Sequence, residues 1–122
     1  MKNLLKIILL SFFIFITYYV IIPYKRITIN KLFTKEFNKK EWAESIKSRD
    51  KMANYFIKNN TLINKDSIYI LNNLGYYPEK ELNSFYYDIG YEGILYHTEY
   101  FLKINFKNDK VVSNEIISFK ED

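Results

Sequence analysis

A single histidine, His97, supplies the only imidazole available for acid–base chemistry, set between Tyr96 and Thr98. A catalytic base needs a nucleophile and an orienting carboxylate beside it, and no Ser-His-Asp spacing accompanies this one. Glu79 and Glu81 flank Lys80, and Asp88 and Glu92 follow; these carboxylates read as solvated turn residues rather than as a paired acid and base. Cysteine is absent, which removes thiolate nucleophiles, thiolate metal sites and disulfides. No glycine-rich phosphate loop, HExxH pair or calcium loop occurs either. The sequence therefore points away from an enzyme, with no cofactor, metal ion or small-molecule substrate expected. Its better functional lead is aromatic. Tyr76, Tyr77, Tyr91 and Tyr96 are assigned to loops or strand ends, where rigid amphipathic rings can anchor a protein partner at small entropic cost. Covering the rim of a small core is the alternative use of the same rings.

The stretch that has to position the first two tyrosines is Leu62–Pro78, LINKDSIYILNNLGYYP. Asp66 is placed to accept the orphan N–H groups of a first helical turn. The spacing predicts a helix over 67–74, with Ile70, Leu71 and Leu74 on one side. Gly75 suits the left-handed residue after the helix, and Pro78 prevents a restart. Eight residues do not hold a helix alone in water, so this one has to pack on something larger. A longer helix is predicted over 41–59, where Trp42, Ile46, Met52, Ala53, Phe56 and Ile57 form an apolar stripe. Arg49 falls inside that stripe and is expected to lay its stem over the core with its head in water.

After Pro78 the period changes from helical to alternating. Phe85, Tyr87 and Ile89 alternate with Ser84, Tyr86 and Asp88, and residues 90–93 are expected to form a loop. Tyr96, Thr98, Tyr100, Leu102, Ile104 and Phe106 then face one way, opposite the mostly polar His97, Glu99, Phe101, Lys103, Asn105 and Lys107. Asn108-Asp109 suits a hairpin turn because both residues tolerate positive φ. The returning strand loses its alternation at Val111-Val112, a place for a bulge or an altered register. The expected architecture is α+β: two helices on one face of a three-stranded antiparallel meander.

Charge and hydropathy set the context. Lys2 and Lys6 precede Ile7–Ile22, an uncharged apolar stretch lacking a small-x-small cleavage site. Residues 1–24 are read as an uncleaved signal anchor, the alternative being a removed signal peptide, with residues 4–22 meeting the membrane. Positive-inside counting does not choose an orientation, because both flanks are basic; the domain is placed outside the cytoplasm because a short basic stretch before an apolar run is how export signals begin. The net charge of the chain is +4, yet residues 25–40 alone carry +5, six basic residues against Glu36, whereas residues 41–122 carry ten basic and thirteen acidic residues, −3. The excess positive charge thus belongs to a basic juxtamembrane tether, 25–40, and not to the domain at 41–122. That distribution argues against nucleic acid as a partner.

Several short motifs resemble one family. Arg49-x-x-Met52 on a first helix, a capped helix ending Leu74-Gly75 before Pro78, and a strand closing in Phe106-x-Asn108-x-Lys110-Val111 are similar to the SmpA/OmlA/BamE-like small envelope proteins. The resemblance covers roughly residues 42–117 and implies a helix-helix-meander fold, similar to a half-repeat of the β-lactamase inhibitor protein, with a role in contacts between envelope proteins. Trp42, Arg49, Met52, Asp66, Leu74, Gly75 and Pro78 then become structural positions. The chain departs from the family in lacking the lipobox cysteine, so its apolar N-terminus replaces a lipid anchor, and in placing Tyr76-Tyr77 where the family has a single residue before the proline. The expected function is non-catalytic protein–protein interaction or scaffolding by a membrane-tethered envelope domain. A released, inhibitor-type binding protein is the alternative.

Overall fold

A computed structural model of the chain describes residues 2–16, 32–76, 79–93 and 98–120, without the side chains of 79 and 80. The elements in order are α1 (Lys2–Ile16), α2 (Lys39–Glu44), a 3-10 turn (Ile46–Ser48), α3 (Arg49–Asn59), α4 (Ser67–Leu74) and strands β1 (Glu79–Glu81), β2 (Ser84–Glu92), β3 (Thr98–Lys107) and β4 (Lys110–Lys120). The four strands form one antiparallel sheet in sequence order, with α2, α3 and α4 covering one of its faces. The α+β class and the meander match expectation.

The helix expected over 41–59 is instead two helices separated at Ser45, which is extended at φ −140° and ψ 120°. Ser45 offers its hydroxyl to the Lys47 N–H at 3.3 Å, the local competition by which serine favours caps over helix interiors. The break has a packing consequence. A continuous helix would aim both Trp42 and Ile46 at the core, but here Trp42 is fully buried and Ile46 is left 39% exposed.

Arg49 closes the break. Its Nε donates to the Trp42 carbonyl at 2.8 Å and Nη1 donates to the Asp88 carbonyl at 3.0 Å, with the guanidinium 4.9 Å from the Trp42 ring centroid. The head expected in water is therefore half-buried and engaged, and burial lowers its pKa, opposed by the Asp88 charge. The Asp88 carbonyl is available because β1 pairs with β2 only from Ser84 to Tyr86.

Glu79–Glu81, expected as a turn, forms the short edge strand β1 and makes the sheet four-stranded rather than three-stranded. Nor do residues 90–93 form a loop: β2 runs on to Glu92 through a bulge between Asp88 and Gly90, where Gly90 sits at φ 126° and Asp88 Oδ1 accepts its N–H at 2.8 Å. A second bulge sets Val112 apart, since Val111 pairs with Phe106 and Ser113 with Asn105. Val111 is thereby buried while Val112 faces solvent. Asn108 and Asp109 close the β3–β4 hairpin at φ 52° and 60°, the positive pair a type I′ turn needs. That hairpin is tied back to the helices through Asn64 N–H to Val111 O and Val111 N–H to Lys65 O, each 2.9 Å.

Part of the expected tether belongs to the folded body. Asn54 Nδ2 donates to the Phe33 carbonyl at 3.1 Å, the Lys35 N–H donates to the Lys51 carbonyl at 3.1 Å, and Phe37 packs between Trp42 and Phe56. Residues 33–38 thus form a strap along α3, pinned to α2 by the Lys35–Glu41 ion pair. The expected membrane-spanning helix is described only as far as Ile16. Among the described residues no helix is long and apolar enough to cross a membrane, and residues 17–22 lie outside them.

Two outcomes follow from this packing. Arg49→Ala leaves two carbonyls without their donor and should lower the unfolding free energy by about 3 kcal/mol in urea denaturation, Arg49→Met recovering only the stem's packing. The hydrogen bonds from Lys35 and Ser48 hold the Glu41 carboxyl below its ordinary pKa. A depressed acid stabilises the fold above its unfolded pKa and ceases to do so as pH falls through the lower folded value. The protection of the Lys35 amide, judged by its exchange rate relative to the intrinsic rate at each pH, should therefore fall on acidification through that window, and Glu41→Gln should leave that protection independent of pH there.

Candidate functional site

The feature best built for contact is the segment leaving α4. Asp66 Oδ1 accepts the Tyr69 N–H at 2.8 Å and starts the helix; Ile70 and Leu74 bury its inner side. At the other end the Gly75 N–H donates to the Leu71 carbonyl at 3.0 Å, and Gly75 takes φ 84° and ψ −168°. A Cβ at Gly75 would meet nothing within 4 Å, so glycine is needed there for its backbone angle and not for space.

Two buried aromatic side chains fix this exit through their polar atoms. The Trp42 indole Nε1 donates to the Leu74 carbonyl at 3.0 Å, and the Tyr87 hydroxyl donates to the Gly75 carbonyl at 2.9 Å. Their rings lie 6.2 Å apart in an edge-on contact, so one aromatic pair satisfies consecutive carbonyls of the chain. The next residue, Tyr76, is 94% exposed. A large ring is thus displayed on a backbone that the core holds still, the arrangement that lowers the entropic cost of using it as an anchor.

Beside this exit lies a cavity of about 140 Å³, lined chiefly by Phe37, Tyr55, Phe56, Leu62, Tyr69 and Leu74. Its walls are the strap, α3 and α4, and its size suits one apolar side chain of a partner. A second hollow of about 200 Å³, lined by polar groups including Ser67, Asn83 and Asp109, lies at the hairpin end of the sheet. There the Ser67 hydroxyl donates to the Asp109 carboxylate at 2.5 Å.

Of the four tyrosines expected to make partner contacts, Tyr76 and Tyr91 are among the described residues, and these two do not share a patch. Tyr91 lies within β2, not in a loop; it pairs with Glu99, is 38% exposed and faces away from the helices. Tyr76 leaves the helical layer, so these two occupy different faces of the sheet. Tyr77, Tyr96, His97 and Pro78 lie outside the described residues. The face of the sheet opposite the helices carries Tyr86 and Phe101, both buried, and the exposed Phe119, whose ring is 5.7 Å from that of Phe101. Lys103 Nζ lies 5.5 Å from the Tyr86 ring centroid. The hydrogen bond with Glu81 raises the Tyr86 pKa, and the bond with Tyr86 raises that of Lys103. These pairings add a polar covering to that face. Among the described residues no three His, Cys, Asp or Glu side chains are grouped as metal ligands.

What sequence reading missed is the role of Tyr87. Its position in the β2 alternation marks it as core, and only its hydroxyl signals that a buried partner is required. No protein-family model matches the chain, and neither does any curated protein or solved structure.

Trp42→Phe and Tyr87→Phe should each lower the unfolding free energy by roughly 1–3 kcal/mol, the cost of stranding a carbonyl. Tyr76→Ala should stay within about 0.5 kcal/mol of the parent, as expected for an exposed position. Urea denaturation of the three variants checks the contrast.

Proposed function

We propose that this chain is a non-catalytic, membrane-tethered domain of the cell envelope that binds another protein through the exit of α4. The observation that carries this reading is the pairing of Tyr76, 94% exposed, with carbonyls at 74 and 75 held by the buried Trp42 and Tyr87. A ring on a held backbone costs little entropy to use as an anchor, and the cavity lined in part by Phe37, Tyr55 and Tyr69 offers a recess next to it. Catalysis is left out because the sequence sets no nucleophile and carboxylate at triad spacing around its one histidine.

The anchor is assigned to residues 4–22. None of the residues of α1 is buried, although it is built almost wholly of Leu, Ile and Phe. An apolar helix exposed all round matches a lipid environment better than water. A helical run over the whole of 4–22 would span about 28 Å, close to a hydrocarbon core of about 30 Å. Lys2 and Lys6 ahead of the uncharged run 7–22 match the basic flank of an export signal, which favours a domain outside the cytoplasm. The resemblance to the SmpA/OmlA/BamE-like proteins favours the envelope as the setting.

A photoreactive phenylalanine analogue at position 76 of the full chain in native membranes should give a discrete adduct with one protein, lost when the analogue is moved to Asn72 on the exposed side of α4. Co-purification of that protein should fall at least tenfold for Tyr76→Ala. Equal capture at both positions would remove the reading. Intact mass separates the alternative of a released, inhibitor-type protein, which requires a chain shortened by the apolar segment.

A further inference from the structure

The strap changes what the basic neck does. With Phe33, Lys35 and Phe37 fastened to α3 and the hydrophobic core, the neck does not end in a free spacer; its last part is a wall of the domain. The charge of the chain is divided at that wall. Residues 25–51 hold nine basic and four acidic residues, +5, whereas residues 52–122 hold seven basic and ten acidic, −3. On the described part of the positive block, Lys39 and Lys40 open α2, Lys47 lies in the turn before α3 and Lys51 lies next to the strap, all four exposed. Glu41 is taken up by Lys35 and Ser48, leaving Glu36 and Glu44 as the exposed carboxylates of residues 32–51. Leu32 and Phe33, where the strap begins, are 79% and 56% exposed.

We propose that this block, the strap with the start of α2 and α3, is a lipid-facing surface that seats the domain on the anionic leaflet into whose bilayer residues 4–22 insert. The proposal rests on the membrane-anchor reading. Four exposed lysines match lipid phosphates, two exposed apolar side chains suit the interfacial zone, and the net negative remainder of the chain is repelled from the same surface. The charge asymmetry therefore sets an orientation as well as an attraction. Nine residues, 23–31, separate the inserted segment from Leu32; fully extended they reach no more than about 32 Å, so contact with the leaflet is an intramolecular event at high effective concentration.

Because the chain has no cysteine, Leu32→Cys and Tyr91→Cys give unique sites for an environment-sensitive dye. The full chain is reconstituted into vesicles of phosphatidylcholine alone or with 30% phosphatidylglycerol, each containing a nitroxide-labelled lipid as quencher. Quenching at position 32 should be at least twofold stronger in the anionic vesicles, should fall to the neutral-lipid level in 0.5 M salt, and should do the same in the Lys39, Lys40, Lys47, Lys51→Ser variant. Position 91 should respond to none of these changes. Equal quenching at position 32 in both lipids, or equal quenching at 32 and 91, would overturn the proposal while leaving the anchor in place. Failure of the chain to float with either vesicle would instead overturn the anchor and the lipid-facing surface together.

Discussion

The fold turns on the burial of one indole. Trp42 is fully enclosed, and each of its parts meets a different neighbour. The ring touches Phe37, Phe56 and Tyr87, Nε1 satisfies the Leu74 carbonyl, the ring face receives the Arg49 guanidinium, and the backbone carbonyl accepts from Arg49 Nε. Strap, α2, α3, α4 and β2 all meet at this residue. Burying a tryptophan is strongly favourable only if its N–H finds an acceptor, because an unpaired donor would return much of the gain. The acceptor here is the end of α4, a helix too short to persist by itself. The polar requirement of the largest core residue is thus met by a helix that cannot stand alone, and each holds the other in place.

Local chemistry explains which parts of this were readable in the sequence. The limits of α4 follow from Asp66 and Gly75, and the β3–β4 hairpin follows from the tolerance of Asn108 and Asp109 for positive φ. The two faces of β3 follow from simple alternation, with Leu102 and Ile104 fully buried. Readings failed where a tertiary contact overrode a local pattern. Continuous helical periodicity runs through Ser45, yet the chain breaks there, and Ile46, which the stripe placed beside Trp42 in the core, is left exposed. Gly90 and Gly93 suggest a loop, but a bulge with a side-chain cap from Asp88 lets the strand continue. Arg49 is legible as part of the stripe; its acceptors, 7 and 39 residues away, are not. Tyr76 is readable as exposed, whereas its immobile base depends on Tyr87, whose hydroxyl reaches back 12 residues.

The two faces of the sheet are stabilised differently. On the helical side the core is almost entirely apolar, with Met52, Ala53, Phe56, Ile70, Tyr87, Ile89, Leu102 and Ile104 packed together. On the other side cross-strand pairs such as Ser84 with Asn105, whose side chains are 2.7 Å apart, and Lys103 with Tyr86 cover the strands. Variation in surface chemistry is therefore tolerated more readily on the second face, while the first admits little change in volume.

The strap also has a mechanical meaning. A chain held at its N-terminal end and gripped at residue 76 is pulled along a route that enters at Phe33, crosses Phe37 and Trp42, and leaves through the carbonyl of Leu74. That route meets the sheet only sideways, through the Tyr87 hydroxyl on the Gly75 carbonyl and Arg49 on the Asp88 carbonyl, so tension between the two attachment points falls first on the strap and the helices and not along the strand ladders.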